Sequence, residues 1–265
     1  MGLEACSIPV LELKGFEAWI DGFRVGPVSL EVRGGIVQAI IGPNGSGKTT
    51  LLKGIGGILP SRGSILFCGR EVPRVPGRAG LVDYVPAEPQ ADPYARVEEI
   101  FRVSSIGLEG VLDELSWLLE VAGRRFGSLS MGQRKLLCVL RGLFSRRPVL
   151  LLDEPLSHLD VAWQSWLINK IKDISKYKII IISLHELHLL SELADRALLL
   201  DNGRPVLNVD VLDIGKHLAL IERVYRTNLR AISGEGYTII LPFPKRGPRE
   251  AENRGKAPGE TPKRL

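Results

Sequence analysis

The sequence predicts an α/β fold with a mainly parallel sheet, an antiparallel β subdomain and a helical insertion between two strands of the core. Strand-sized apolar runs alternate with segments of helical periodicity between residues 36 and 200, which is typical of a parallel sheet with helices on its faces. A glycine-rich loop at residues 42–49 joins one of these runs directly to a helix. Apolar residues at helical spacing within residues 97–121 predict the insertion.

Each element follows from an apolar run and the turn residues that bound it. The predicted strands are residues 10–13, 28–32, 36–41, 64–67, 81–85, 149–152, 179–182 and 197–200. The predicted helices are residues 49–58, 97–121, 131–144, 161–174 and 186–193. Turn-forming residues at 21–22 and 201–203 separate neighbouring strands. After residue 209 the pattern predicts one helix and then two short strands around residues 234–236.

The loop at residues 42–49 reads GPNGSGKT and fits the pattern G-x-x-x-x-G-K-[ST] at every fixed position. Its glycines let backbone N–H groups surround a phosphate, and the positive end of the helix dipole faces the same anion. Lys48 adds a positive charge at the β- and γ-phosphates, and the Thr49 hydroxyl is a ligand for Mg²⁺. The chain is therefore predicted to have a P-loop NTPase core. The nucleotide-contacting residues predicted here are Gly42, Pro43, Asn44, Gly45, Ser46, Gly47, Lys48, Thr49 and Thr50.

Two further segments indicate a nucleotide site. Asp153 and Glu154 close the apolar run 149–152, and a carboxylate pair at the end of a buried parallel strand lies where open α/β sheets place their ligands. Residues 129–133, LSMGQ, stand just before a helix and are a second candidate for phosphate contact.

Composition is that of an ordinary globular protein of 265 residues, with 45% hydrophobic and 25% charged residues. No apolar run approaches the ~18–20 residues of a membrane span, and no secretory signal is evident. The three cysteines are widely spaced, so we expect neither a disulfide framework nor a metal site. We therefore expect the protein to lie in the cytosol. Residues 245–265 carry seven basic and three acidic side chains, and we expect a disordered basic tail.

These motifs, in this order, resemble those of the ATP-binding subunits of ABC transporters over residues 11–206. Residues 42–50 are similar to the Walker A loop, 129–133 to the family signature, 149–154 to Walker B and 157–160 to the D-loop. His185 stands ten residues before Asp195, as the switch histidine does in the family. Trp19 stands where the family keeps an aromatic side chain that stacks on adenine, and Phe23 is the alternative. The resemblance implies the ABC ATPase fold.

The resemblance also implies a role for each matching residue. Asp153 holds Mg²⁺, and Glu154 acts as general base on the attacking water. His185 contacts the γ-phosphate, and Lys48 stabilises the transferred charge. The signature residues Ser130, Gly132 and Gln133 would contact the γ-phosphate of the nucleotide on a second copy, and Asp160 of the D-loop is a further nucleotide-binding residue. Two subunits would then hold two ATP molecules head to tail, as a homodimer.

Two positions depart from the family pattern, and one pair of histidines could suggest a metal site. The family usually has Gln where this chain has Ala87, and Gln90 or Glu88 are the candidates to replace it. Met131 replaces the commoner glycine of the signature, and we expect it to be tolerated. His185 and His188 have an H-x-x-H spacing, but the metalloprotease pattern fails and we expect no metal pair.

The C-terminal residues 221–244 are similar to the ending of importer ATPases that serve iron chelates, haem and cobalamin. We therefore expect an ATPase that powers import of such a metal-related cargo. Its partners would be a second copy and two polytopic permease subunits, with a substrate-binding protein reached indirectly and no nucleic acid. The chain would lie peripherally on the cytoplasmic face of the membrane. The alternatives are the ATPase of an ABC exporter and a soluble ABC protein of the ribosome or nucleic acid.

The predicted domains are an ATPase domain at 1–209, a small C-terminal unit at 210–244 and the tail at 245–265. The helical insertion is expected at about residues 88–128 of the first domain.

Overall fold

A computed structural model describes residues 8–103 and 116–243 of the chain. Its strands are β1 (Val10–Ile20), β2 (Phe23–Arg33), β3 (Val37–Ile41), β4 (Ser61–Phe67), β5 (Arg70–Glu71), β6 (Val82–Val85), β7 (Val149–Asp153), β8 (Ile179–Leu184), β9 (Arg196–Asp201), β10 (Arg204–Asp210), β11 (Leu229–Gly234) and β12 (Tyr237–Pro242). Its α-helices are α1 (Lys48–Ile55), α2 (Val97–Val103), α3 (Ser116–Val121), α4 (Met131–Phe144), α5 (Val161–Ser175), α6 (Leu190–Leu193) and α7 (Leu218–Tyr225).

The central sheet has six strands in the order β10-β9-β3-β8-β7-β6. All neighbours in it are parallel except β10, which pairs antiparallel with β9 through the turn predicted at residues 201–203. Every residue of β3, β7 and β8 is buried, because helices or a second sheet cover both faces. The carboxyl ends of β3, β8, β7 and β6 therefore lie side by side at one edge.

The antiparallel subdomain is a four-stranded sheet in the order β2-β1-β4-β5. Its first two strands are longer than the sequence predicts, because pairing continues up to Ile20 and Phe23 on either side of the two-residue turn. The predicted fold class, with parallel and antiparallel portions, is confirmed by this architecture.

The hydrophobic core has two parts, one on each face of the central sheet. Alternate residues of β7 show the division, because Leu150 and Leu152 pack with α4 and α5, whereas Val149 and Leu151 pack with α1 and the antiparallel sheet. Core side chains therefore pack on both faces of the central sheet, and α1 lies between the central sheet and the antiparallel sheet.

The helices differ from prediction in two places. Residues 186–193 form a 3₁₀ segment at Leu187–Leu189 followed by the short α6, and no side chain caps either piece. Of the predicted insertion helix at 97–121, α2 and α3 are helical and residues 104–115 lie outside the described residues. The basic tail at 245–265 also lies outside them.

The C-terminal unit consists of a 3₁₀ segment (Val211–His217), α7 and the β11–β12 hairpin. Ile221 and Ile240 are fully buried in the same core cluster as the central sheet. Hydrogen bonds from Thr238 to the Ser191 hydroxyl and to the Leu212 carbonyl fix the hairpin beside α6. The predicted division at residue 209 stays a prediction, and the unit packs as an extension of the main core.

Cys138 is a free buried thiol, whereas Cys68 is disulfide-bonded. The expectation that the cysteines form no disulfide is therefore wrong for Cys68, because sequence spacing does not report which loops the fold brings together. None of the helices in the described part of the chain has the length and apolar character needed to cross a membrane.

Candidate functional site

The glycine-rich loop leaves β3 and opens α1, as the sequence predicts. Gly47 has φ 105°, and a Cβ there would lie 2.4 Å from a Val25 methyl group, so only glycine fits. No side chain caps α1 and its first turn has no acidic residue, so its amide groups and dipole remain available to an anion.

Lys48 is buried inside this loop. Its Nζ donates to the carbonyl oxygens of Gly42 at 2.8 Å and Pro43 at 3.1 Å. Burial lowers the pKa of Lys48, and the nearby carboxylates of Glu154 and Asp153 partly offset that shift. An ammonium held only by two neutral carbonyls can exchange them for phosphate oxygens, which are stronger acceptors.

A cavity of about 520 Å³ lies against the loop and is called the phosphate-loop cavity. It brings together the predicted loop residues and the predicted general base. Its lining residues are Phe23, Asn44, Gly45, Gly47, Lys48, Thr49, Thr50 and Glu154.

The Asp153 carboxylate is held from two neighbouring strands. Its Oδ1 accepts a hydrogen bond from the Ser183 hydroxyl at 2.5 Å, and its Oδ2 accepts one from the Tyr84 hydroxyl at 3.0 Å. Burial, followed by the charge of Asp153 and this hydrogen bond, raises the pKa of Tyr84 far above its usual range, so Tyr84 acts here as a fixed donor.

Glu154 follows Asp153 in the left-handed region, with φ 47°. A non-glycine residue is strained there, and such strain is common where a side chain is aimed at a ligand. Two bonds hold the peptide: the Glu154 N–H donates to the Ser183 hydroxyl at 2.9 Å, and the Ser157 hydroxyl donates to the Glu154 carbonyl at 2.9 Å. Glu154 thereby faces the phosphate-loop cavity.

The donor set at this edge fits Mg²⁺. Thr49 and Asp153 offer a hydroxyl and a carboxylate, and Mg²⁺ prefers oxygen ligands, with one or two carboxylates completed by water and substrate phosphates. Within residues 8–103 and 116–243, no group of three His, Cys, Asp or Glu side chains is placed to hold a metal ion alone. The remaining ligands would therefore come from phosphate and water.

His185 follows β8 directly and is exposed. Because Leu184 pairs with Ile41 in the parallel register, His185 lies level with Gly42 at the start of the phosphate loop. The structure thus brings it to the edge where Glu154 follows β7, on the neighbouring strand.

A second cavity of about 510 Å³ lies beside residues 129–133 and is called the signature cavity. It combines three of those residues with Asp160, as predicted. Its lining residues are Trp117, Ser130, Gly132, Gln133, Leu136, His158, Leu159, Asp160 and Trp163. It shares no lining residue with the phosphate-loop cavity.

Two helix caps shape the signature cavity. Ser130 and Gln133 form a reciprocal capping box at the start of α4, and Asp160 caps α5 through the Trp163 N–H at 2.9 Å. A Cβ on Gly132 would lie 2.7 Å from the His158 carbonyl oxygen, which explains why this position needs glycine. Met131 is 46% exposed, so the larger side chain is accommodated outside this contact.

Comparison with known proteins decides the family. Residues 25–157, half of the chain, match the model of the ABC transporter family. The chain belongs to the ABC transporter family. This membership confirms the predicted family and supports the predicted enzyme class, an ATPase that uses ATP and Mg²⁺.

Individual relatives show the extent of the similarity. The chain is 30% identical to the glutathione/L-cysteine transport system ATP-binding/permease protein CydC of Bacillus subtilis, covering 83% of this chain and 43% of CydC. It is 34% identical to the hemin import ATP-binding protein HmuV of Streptomyces coelicolor, covering 67% of this chain and 69% of HmuV. The chain spans about half the length of the first curated relatives it matches.

A solved ATP binding subunit of an ABC transporter has the same fold. It superposes with a TM-score of 0.72 at 24% identity, covering 82% of this chain and 98% of that one. The ABC ATPase fold predicted from the motifs is thereby confirmed.

The aromatic side chain at the Walker A loop is Phe23. Phe23 and Val25 lie on the strand face that meets Gly47, and Phe23 lines the phosphate-loop cavity. Trp19 pairs with Arg24, one residue out of step with Phe23, so its side chain belongs to the opposite face of the hairpin. The identity of the stacking residue stays a prediction, and the lining of the cavity favours Phe23, the alternative, over Trp19.

The loop after β6 contains Ala87, where the family usually has Gln. Neither candidate replacement reaches the phosphate-loop cavity, because Glu88 and Gln90 are exposed and absent from its lining. The Ala87 carbonyl instead accepts a hydrogen bond from the buried ammonium of Lys135, at 2.7 Å.

Four residues of the site have contacts that the sequence did not predict. Ser183 is the one polar residue of the run 179–184, which was a usable signal, and Tyr84 stands near the end of its strand. Lys135 lies among apolar helix residues, and its burial has no local signal. Tyr225, whose hydroxyl accepts a hydrogen bond from the Gly42 N–H, comes from a helix 183 positions away.

Proposed function

We propose that this chain is the ATP-binding and ATP-hydrolysing subunit of an ABC transporter. The observation that carries the proposal is the pairing of Glu154 and Lys48 in one cavity, beneath an uncapped helix N-terminus. γ-Phosphoryl transfer to water needs charge neutralisation and a positioned nucleophile more than it needs covalent chemistry, and these residues supply both.

The proposed roles follow from the geometry. Lys48 exchanges the carbonyl oxygens of Gly42 and Pro43 for the β- and γ-phosphates of ATP. Glu154 orients the attacking water and takes its proton at the carboxylate. Asp153 and Thr49 would hold Mg²⁺, which when bound neutralises charge on the transferred phosphoryl group.

Phe23 supplies the stacking surface for adenine in this proposal, since it borders the phosphate-loop cavity. His185, level with Gly42, contacts the γ-phosphate region. The Phe23 assignment rests on the lining of the cavity, and the His185 assignment rests on position at the carboxyl edge of the central sheet.

A homodimer follows from the signature cavity. Ser130, Gly132, Gln133 and Asp160 line a site separate from the chain's own phosphate-loop cavity, so they are free to contact the nucleotide of a second copy. Two copies would close head to tail on two ATP molecules, and hydrolysis would reopen them.

For the cargo, we propose import of an iron chelate, cobalamin or another metal-related compound. A hemin import relative and the C-terminal unit support this assignment, and a Nod factor export relative makes export the second candidate. The chain would lie on the cytoplasmic face of the membrane, bound to two permease subunits, with a substrate-binding protein as an indirect partner. Co-purification from the native membrane tests it: a permease with a substrate-binding protein is expected, whereas a fused exporter or ribosomes would overturn the assignment.

Glu154→Gln tests the catalytic part. The variant should bind ATP as the wild type does, accumulate as an ATP-bound dimer and lose turnover by at least about 100-fold, because the general base is gone. Glu71→Gln, at an exposed position on β5, is the control and should keep full turnover. Turnover of Glu154→Gln within a few-fold of wild type would contradict the proposed mechanism.

A further inference from the structure

The ammonium of Lys135 joins two loops of the catalytic edge. The side chain leaves the second turn of α4 and is fully buried, at 0% exposure. Its Nζ donates to the carbonyl oxygens of Ala87 at 2.7 Å, Asp153 at 2.9 Å and Pro86 at 3.3 Å. An ammonium has three donors, so these three acceptors satisfy it.

None of these three acceptors is a carboxylate oxygen, so the buried charge is compensated by backbone dipoles and, without direct contact, by the charges of Asp153 and Glu154. Burying a cation in this way costs free energy that an apolar side chain of the same length would avoid. Burial accordingly lowers the pKa of Lys135 to about 8. The contacts are thus costly to maintain, which points to a role other than stabilising the core.

Three functional segments meet at this ammonium. The helix that carries Lys135 starts at Ser130 of the signature, Ala87 belongs to the loop that departs from the family pattern, and Asp153 directly precedes Glu154. Neither Glu88 nor Gln90 reaches the phosphate-loop cavity from that loop. The Lys135 ammonium therefore links the Ala87 carbonyl directly to the carbonyl of Asp153, the residue that precedes Glu154.

We propose that Lys135 is a positioning residue that couples the loop at Pro86–Ala87 to the catalytic carboxylates, in the place of the missing Gln side chain. The inference rests on the proposed ATPase function and deepens it. Lys135 lines neither the phosphate-loop cavity nor the signature cavity, and it acts through the Asp153 carbonyl. Its loss should therefore change turnover and leave nucleotide affinity unchanged.

The test compares Lys135→Met with wild type in the full chain. We expect kcat for MgATP hydrolysis to fall about 10- to 100-fold, as is usual when a group that orients a catalytic ligand is removed. The Kd for Mg²⁺-free ATP should stay within about twofold, because the Walker A loop is untouched. Thermal stability is measured alongside, since removal of the buried charge stabilises the fold and the loss of three hydrogen bonds to carbonyls destabilises it.

Lys178→Met is the matched control. Lys178 is also a largely buried lysine bonded only to backbone carbonyls, those of Gly142 and Ser145 at the other end of α4. None of the side-chain hydrogen bonds described for Lys178 reaches the catalytic edge, so the kcat of Lys178→Met should stay at the wild-type value. Equal losses of kcat in both variants would mean that Lys135 acts only through helix packing, and would overturn the proposal.

Lys135→Gln covers the case in which the Met variant does not fold. It keeps two N–H donors on a shorter side chain that cannot span both loops, and the same fall in kcat is expected. A folded Met or Gln variant with kcat within twofold of wild type overturns the coupling role and leaves the ATPase assignment intact. Absence of hydrolysis by the wild type would instead contradict the proposed function.

Discussion

The hydroxyl of Tyr225 accepts a hydrogen bond of 2.8 Å from the N–H of Gly42, the first residue of the Walker A loop. Tyr225 is the last residue of α7, so the C-terminal unit directly fixes the turn from β3 into the phosphate site. The Gly42 carbonyl in turn accepts from Lys48. The C-terminal unit is therefore part of the nucleotide site in structural terms.

Tyr225→Phe should weaken both stability and ATP binding. The Gly42 N–H loses its partner while buried, which costs roughly 1–3 kcal/mol, and the loop is less well ordered for phosphate. We expect the free energy of unfolding to fall by about that amount and the Kd for ATP to rise several-fold, measured by urea denaturation and calorimetry. Tyr237→Phe, in the same unit but 44% exposed, is the control; an equal rise in its Kd would contradict the explanation.

Phe23→Ala should weaken ATP binding more than Trp19→Ala does. Stacking of a base on an aromatic ring contributes about 1–3 kcal/mol, which corresponds to at least a fivefold rise in Kd. Affinity for inorganic triphosphate should be unchanged, because it has no base to stack. The reverse order of the two variants in an ATP titration would restore Trp19 as the stacking residue.

Features governed by local pattern were predictable from the sequence. The strands β3, β7 and β8 are buried on both faces and read as continuous apolar runs, and the motifs that follow them place Lys48, Asp153, Glu154 and His185 at one edge. The motifs also predicted that the signature residues serve a site other than the chain's own phosphate loop, and the two cavities share no lining residue.

Features set by tertiary register were not predictable. A shift of one residue in a hairpin exchanges the two faces, and this determines which of Trp19 and Phe23 shares the strand face that meets Gly47. Lys135 and Tyr225 act through backbone groups that are 18 or more residues away in sequence, for which no residue pattern exists. The fold had to be known before either contact was visible.

Ser183→Ala should reduce turnover without loss of nucleotide binding. The Ser183 hydroxyl donates to Asp153 Oδ1 and accepts from the Glu154 N–H, so its removal releases both catalytic residues at once. We expect kcat to fall roughly 10- to 100-fold and the Mg²⁺ concentration for half-maximal activity to rise.

A steady-state Mg²⁺ titration measures both effects of the Ser183 change. Ser175→Ala is a fitting control, since the hydroxyl of this buried serine donates to the Lys172 carbonyl within α5, away from the carboxylates. If the two variants behave alike, Ser183 has no special part in holding the carboxylates.

Lys178 gives the protein a predictable dependence of stability on pH. Burial lowers the pKa of Lys178 from 10.5 to about 8, partly offset by the charge of Asp83. Below pH 8 the side chain is charged in both states, whereas between pH 8 and 10.5 the unfolded chain keeps a proton that the folded chain has released. The unfolded state then binds more protons, so this group makes stability rise with pH in that window.

Lys178→Met lacks this rise, and the comparison with wild type isolates it. In urea denaturation from pH 7.5 to 10, the free energy of unfolding of wild type relative to the variant should increase by up to about 2 kcal/mol, allowing for solvent screening. Lys176→Met is the control, because the exposed Lys176 has its pKa raised by Asp173 and so gives no rise in this range. If the difference in free energy of unfolding between wild type and Lys178→Met stays constant across this pH range, Lys178 keeps its proton in the folded state. The carbonyls of Gly142 and Ser145 would then hold the charge strongly enough to cancel the cost of burial.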